Sequence, residues 1–424
     1  MNEHNNVKPF EEYESQVRSY CRNFPTVFTT AKGPFLYDEN GKEYIDFFSG
    51  AGGLNYGHNN DYIKGKVLEY LESDGVMHAL DMYTAPKRDF LEFYEEKILK
   101  PRGLNYKIQF PGPTGTNAVE AALKLARKVK KRNNVFALMG GFHGMTLGSL
   151  ALTTDASSRA GAGVPLYNVT HVPAPYMFPE LDTVKYMETL LTDDHSGVEK
   201  PAAIILETVQ ADGGINPFSV EWLQRVRALC DKYDILMIVD DIQVGCARTG
   251  WFFSFERAGI VPDIVTQSKS IGGYGMPFAL VLIKPELDIW EPGEHNGTFR
   301  GYQLSMVAAK AGLEVMLSEH VEEQVREKDK LVSRYMEEIA ALDPDRVRTR
   351  GIGLIWGVDL FHCDPEGKAS KQVLDLCFQN GLIVERVGRG NAVVKVMPEL
   401  LIDEETLIWG LEILKSAVAQ VLGK

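Results

Sequence analysis

Lys269 stands in the run Asp263-Ile-Val-Thr-Gln-Ser-Lys-Ser-Ile-Gly-Gly-Tyr-Gly275, and Asp240 closes Ile235-Leu-Met-Ile-Val-Asp240, with Asp241-Ile242-Gln243 next. Each run is a short apolar stretch ending in polar groups, the pattern of a buried strand with chemistry at its end. A lysine so placed can condense with a carbonyl to form a Schiff base. A carboxylate nearby can keep a ring nitrogen protonated. Taken singly, each has a plainer reading: Lys269 as a surface lysine, Asp240-Asp241 as a helix N-cap or turn.

Two further stretches change the balance. Pro111-Gly-Pro-Thr-Gly115-Thr116-Asn117-Ala-Val-Glu120 leads from a strand into a helix. A helix N-terminus offers free N–H groups and a positive dipole end to a phosphate. Gly115 lets the backbone approach closely, Thr116 adds a hydroxyl, and Asn117 with Glu120 three residues on resembles a capping box. Gly140-Gly-Phe142-His143-Gly144 also follows a strand, and an aromatic there can cover a ring face. A glycine-rich helix start, a core Phe and a turn His are the ordinary alternatives. Amine, carboxylate, phosphate cradle and aromatic together match the needs of one cofactor, pyridoxal 5′-phosphate.

These groups need elements to position them. Residues 8–30 read as an amphipathic helix followed by an extended segment near Phe24-Pro25. Phe35–Phe47 reads as a β-hairpin turning at Asp38-Glu-Asn40-Gly41. From about residue 61 helices and strands alternate. Helices are expected over Asp61–Ser73, Asn117–Lys131 and Val220–Tyr233, and strands over Tyr106–Phe110, Val135–Leu138, Ala202–Glu207, Ile235–Asp240 and Asp263–Thr266. Such alternation implies an α/β fold with a mostly parallel sheet and helices on both faces. Ala279–Ile283 follows too closely for a parallel crossover and should run antiparallel. A long helical stretch is expected from Tyr302 to about Leu342. An α+β unit follows, with strands over Gly353–Leu360, Gly381–Glu385 and Val393–Met397 and a last helix from Asp403. The expected division is residues 1–60 contributing to a small domain, 61–305 as the large cofactor-binding domain and 306–424 completing the small one.

The chain has 424 residues, more than one ordinary core accommodates. Hydrophobic residues at 45% and charged residues at 24% are those of a soluble globular protein. A net charge of -13 repels phosphate backbones and argues against nucleic-acid binding. Cys21, Cys230, Cys246, Cys363 and Cys377 are scattered and form no CxxC pair, which disfavours a disulfide framework or a metal site and suits a reducing cytoplasm. Met1-Asn-Glu-His-Asn-Asn lacks the basic-then-apolar pattern of a signal peptide, and no apolar run reaches the roughly 18 residues of a membrane span.

From about Pro34 onward the chain resembles the class III aminotransferases of the fold type I pyridoxal phosphate enzymes. The resemblance rests on Tyr37-Asp38-Glu39-Asn40-Gly41, Asn55-Tyr-Gly-His58, Gly115-Thr116, Gly-Phe142-His143-Gly, Asp240-Asp-Ile-Gln243 and Ser-Lys269-Ser, in that order. It implies that Lys269 forms the Schiff base and shuttles the proton, and that Asp240 pairs with the ring nitrogen. Gln243 would lie near the ring hydroxyl, Phe142 on one ring face beside His143, and Ile242 on the other. Gly115 and Thr116 would hold the phosphate. Thr298, in His295-Asn-Gly-Thr298-Phe-Arg-Gly301, resembles a threonine that reaches the partner subunit's phosphate, implying a homodimer, or dimers paired into a tetramer, with shared active sites.

For the substrate, the resemblance names Glu207, Asp212, Lys395 and Tyr83. Asp212 stands where Glu is more usual. Lys395 occupies a position where relatives carry a carboxylate-binding arginine, and supplies a point charge rather than a fork. Met145 replaces a second such arginine. These departures, with Val17-Arg-Ser-Tyr-Cys-Arg-Asn-Phe-Pro25 and Asn-Gly-Thr-Phe-Arg-Gly301, are similar to members that make L-2,4-diaminobutyrate from aspartate 4-semialdehyde with glutamate as donor, by a ping-pong route. Another ω-aminotransferase, an aminomutase or a non-catalytic cofactor-binding protein are the alternatives.

Overall fold

The computed structural model describes residues 7–424, so the N-terminal leader reading at residues 1–6 lies outside the described residues. Its centre is a seven-stranded sheet in the spatial order Lys107–Gln109, Leu280–Ile283, Ile264–Gln267, Leu236–Asp240, Ala203–Leu206, Val135–Leu138 and Val169–Val172. Leu280–Ile283 is antiparallel to both neighbours, as the short connection after Lys269 requires, and the others share one direction. The inner strands are buried on both faces, which explains their unbroken apolar runs. Val169–Val172 was not expected: it is an edge strand, half-buried, and its Thr-His centre hides the signal.

Register sets the chemistry. Asp240 pairs with Thr266, so it ends its strand beside the one that leads into Lys269. Glu207, Phe142 and Gly115 likewise follow the carboxyl ends of their strands, where such sheets gather their ligands.

Two smaller sheets flank this one. Phe28–Lys32, Phe35–Asp38 and Glu43–Asp46 form the expected hairpin with an extra strand, and Leu382–Ile383 from the far end of the chain joins parallel to Glu43–Asp46. The other contains Arg348–Ile352, Ile355–Asp359, Val393–Val396 and Glu385–Val387. Fully buried Arg248 ties the parts together: its guanidinium donates to Leu354 O at 3.0 Å, to Asn55 Oδ1 at 2.6 Å and to Pro398 O.

Three expectations need correction. The helix expected within residues 8–30 is a short turn of helix, Lys8–Tyr13, and a 3₁₀ turn, Tyr20–Arg22. The long C-terminal helix is two, Gln303–Ser318 and Val321–Ala341, broken where His320 takes a left-handed φ of 50°. The capping pair of the helix after Gly115 is Thr114 with Asn117, whose Oδ1 accepts the Thr114 hydroxyl at 2.8 Å. Glu120 instead accepts the backbone N–H groups of Gly148 and Ser149. No helix among the described residues is long and apolar enough to cross a membrane.

Candidate active site

At the carboxyl edge of the large sheet lies a cavity of about 170 Å³ lined by Gly115, Thr116, Phe142, His143, Gly144, Glu207, Asp212, Asp240, Ile242, Gln243 and Lys269. Nearly every residue singled out for cofactor chemistry therefore faces one space.

One wall is the N-terminus of Gly115–Lys130. A Cβ on Gly115 would lie 3.0 Å from Ile242 Cδ1 and 3.2 Å from its Cγ2, so the absence of a side chain keeps this wall open. The Thr116 hydroxyl meets Thr146 Oγ1 at 2.7 Å and Ser149 Oγ at 2.5 Å. Thr146 and Ser149 escaped the sequence reading, although they follow Gly-Phe-His-Gly by only a few residues. A cluster of hydroxyls at a helix N-terminus suits an anion with several acceptor oxygens.

The opposite group is a buried pair. Asp240 Oδ2 stands 2.7 Å from His143 Nδ1, while Asp240 Oδ1 accepts from Ile242 N and Thr266 Oγ1, both at 3.3 Å. Burial disfavours charge on His143, but the hydrogen bond and charge of Asp240 outweigh it and raise its pKa. His143 thus anchors the carboxylate. Asp241 points away, onto the Ser254 hydroxyl, and burial pushes it up to about 7. The neighbouring aspartates are divided between cavity and core. Burial, opposed by the His143 charge and reinforced by Asp240, pushes Glu207 up to about 8. Its oxygens accept Phe142 N at 3.1 Å and Ala211 N at 3.2 Å, so it fixes the loop carrying Phe142.

Lys269 sits in a left-handed conformation, φ 55°, which is uncommon for a residue with a Cβ and marks functional positions. Ser268 and Ser270 hold it on either side through Phe278 O and Gly52 O. Among the described residues its Nζ has no hydrogen-bond or ion-pair partner. It keeps some exposure because it lines the cavity, yet protein packs closely round it. Burial lowers its pKa, Lys395 adds to the lowering, and Asp212 opposes it. Lowered basicity favours the neutral form of the amine, which is the nucleophile.

The substrate residues divide. Glu207 and Asp212 line the cavity, beside the cofactor residue Gln243, which donates to Ala51 O at 3.0 Å. Lys395 does not extend into open space as a carboxylate-binding arm: it is fully buried, 2.5 Å from Glu385 Oε2, 3.3 Å from Gln243 Oε1 and 3.5 Å from Asp212 Oδ1. Glu385 was missed because nothing in its local sequence marks it. It faces Lys395 only through the pairing of Glu385–Val387 with Val393–Val396. Tyr83, Thr298 and Met145 are exposed and lie outside the lining of this chain's own cavity.

A family profile described as "Aminotransferase class-III" matches residues 17–418. The chain is 53% identical to a diaminobutyrate--2-oxoglutarate transaminase of Nocardia farcinica, over 97% of this chain and 94% of that one. It is 51% identical to the protein of the same name from Sporosarcina pasteurii, over 99% and 98%. Among solved structures, a Bacillus anthracis aminotransferase superposes with a TM-score of 0.87 at 25% identity, covering 98% of this chain and 97% of that one.

Proposed function

The chain belongs to the class-III aminotransferases, and we propose that it is a pyridoxal phosphate-dependent ω-aminotransferase exchanging an amino group between L-2,4-diaminobutyrate and 2-oxoglutarate. In the biosynthetic direction, aspartate 4-semialdehyde gains the amino group that glutamate gives up. The substrate assignment follows the relatives' names. The observation that carries the chemistry is the unpartnered Lys269 amine in one cavity with the Asp240–His143 pair.

The residues present fit pyridoxal phosphate: an orphan amine, a carboxylate fixed from behind, and a helix N-terminus that a Cβ at Gly115 would close. When bound, the cofactor supplies the carbonyl that takes up the amino group and a ring that accepts the electrons released at the reacting carbon. Gly115 and Thr116, with Thr146 and Ser149, would bind the phosphate. Asp240 would hold the proton on the ring nitrogen, its other contacts preventing it from turning away. Phe142 and Ile242 would supply apolar walls, and Gln243 would serve the ring hydroxyl. Lys269 Nζ would take the proton from the substrate carbon bearing the amine and give it to the cofactor carbon that receives the amino group. Exposed Thr298 and Tyr83 are assigned to the partner's site in a homodimer.

Aspartate 4-semialdehyde is incubated with the purified holoenzyme, with and without glutamate. Diaminobutyrate formed only with glutamate supports the reading. An aminomutase would instead convert the semialdehyde, without glutamate, to its isomer 4-amino-2-oxobutyrate, and no product in either case refutes the substrate assignment.

A further inference from the structure

The distal end of the cavity carries more acid than base. Lys395 is one cation among two carboxylates, Glu385 and Asp212. The contacts are unequal: Glu385 Oε2 is 2.5 Å from Lys395 Nζ, and Asp212 Oδ1 is 3.5 Å away. Glu385 and Lys395 are direct cross-strand partners, so the inner pair is built into the sheet and does not depend on flexible arms meeting. Of the two acids, Asp212 lines the cavity. Tyr20 reports the sign of the field: burial first, then the charges of Glu385 and Asp212, push its hydroxyl up to about 12 against the opposing Lys395.

We propose that Glu385 is a positioning residue for substrate choice: it takes up the charge of Lys395 and so leaves Asp212 to receive an ammonium group in the cavity. The distal end then recognises the zwitterion of an α-amino acid rather than a lone carboxylate. This rests on the substrate reading above. Diaminobutyrate reacting through its terminal amine leaves its α-ammonium and α-carboxylate at the far end, whereas glutamate leaves only a carboxylate there. The cation for the zwitterion's carboxylate is Arg389, which lines a second cavity that shares Asp212 and Phe142 with the first, and whose guanidinium lies 5.7 Å from the Tyr176 ring centroid. Its loop is tied to Asp212 by a hydrogen bond from Gly388 N to Asp212 O of 2.9 Å.

The test compares wild type, Glu385→Gln, Glu385→Asp and the charge-balanced double variant Glu385→Gln with Lys395→Gln, all as holoenzymes. Releasing Lys395 in Glu385→Gln lets it compete for Asp212 and for carboxylates. KM for diaminobutyrate should rise about ten-fold with little change in kcat, while KM for glutamate falls by a similar factor, the size of one charge-assisted hydrogen bond. Glutarate, a dicarboxylate with no amine, measured by calorimetry, should bind Glu385→Gln about ten-fold more tightly than wild type. Glu385→Asp should restore wild-type values in part, and the double variant should lose the glutarate gain. Both KM values moving in one direction, or glutarate binding unchanged in Glu385→Gln, overturns the inference. If Glu385→Gln does not fold, glutarate binding no tighter in Glu385→Asp than in wild type overturns it. A wild-type enzyme inert toward diaminobutyrate refutes the substrate reading instead, and the glutarate measurement still decides the part played by Glu385.

Discussion

Replacing Gly115 with Ala separates the phosphate cradle from the fold that carries it. Gly115 opens its helix outside the left-handed region, so a methyl group meets no backbone strain. Ala is the better helix former by up to about 1 kcal/mol. Against that, the new Cβ would meet Ile242 at 3.0 and 3.2 Å, and the flexible end of that side chain must give by a few tenths of an ångström. Mild overpacking of this kind costs about 1 kcal/mol. The two nearly cancel, and the melting temperature of the cofactor-free variant should stay within about 2 °C of wild type. Cofactor affinity should not survive. The methyl occupies the approach of an anion to the helix N–H groups. Losing one hydrogen bond to a charged group, at about 1.5–3 kcal/mol, weakens binding by about ten- to 150-fold. The assay is titration of cofactor-free protein with pyridoxal phosphate, followed by tryptophan fluorescence, and in parallel with pyridoxal, which lacks the phosphate. Pyridoxal should bind both proteins equally. Equal loss for both ligands would show that the methyl blocks the ring, and no loss for either would place the phosphate elsewhere.

Other predictions concern the cavity and its frame. Lys269→Ala should abolish covalent capture: borohydride reduction of the wild-type holoenzyme followed by peptide mapping labels Lys269, and a label elsewhere refutes the assignment. Glu207, pushed up to about 8 by burial, is raised above its unfolded value of about 4.3. Its stabilising contribution is therefore complete below about pH 4 and is lost as pH climbs through 8. Glu207→Gln removes this titration but cannot accept Ala211 N–H, so it starts about 1–2 kcal/mol less stable. The gap to wild type should narrow between about pH 4 and 8 in thermal melts and level off above that, and a constant gap between about pH 5 and 8 refutes the raised value. Arg248→Met strands three buried acceptors, Leu354 O, Asn55 Oδ1 and Pro398 O, and should cost about 3 kcal/mol or more in chemical denaturation. A loss under about 1 kcal/mol would mean that the parts hold together without it.

The central sheet was legible because its inner strands are apolar on both faces. Val135–Leu138 matches its expected bounds, and Leu280–Ile283 runs antiparallel as its short connection demands. Asp240 and Lys269 could be read for the same reason, since each ends such a run. Contacts made across elements were not legible. Thr146 and Ser149 serve Thr116 only because one loop folds over a helix start. The break at His320 has no Gly or Pro to announce it. Lys395 was expected to meet a substrate carboxylate, but it is buried, and that burial depends on a strand pairing ten residues back along the chain that local pattern cannot reveal.

Two lysines therefore share one region with opposite fates, and backbone geometry decides which is which. Lys395 lies on a regular strand whose neighbour supplies Glu385 directly across, so its charge is matched and its pKa is raised against burial. Lys269 lies past the end of a strand, turned by a left-handed backbone into a space where one lining carboxylate, Asp240, is already held by His143. Burial then acts on Lys269 with no bonded partner to offset it. The division of acids follows the same logic: each carboxylate that touches a cation is one Lys269 cannot use. Exchanging the partners would charge Lys269 and free Lys395, so the pairing of Glu385 with Lys395 and of Asp240 with His143 is what leaves Lys269 without a bonded partner.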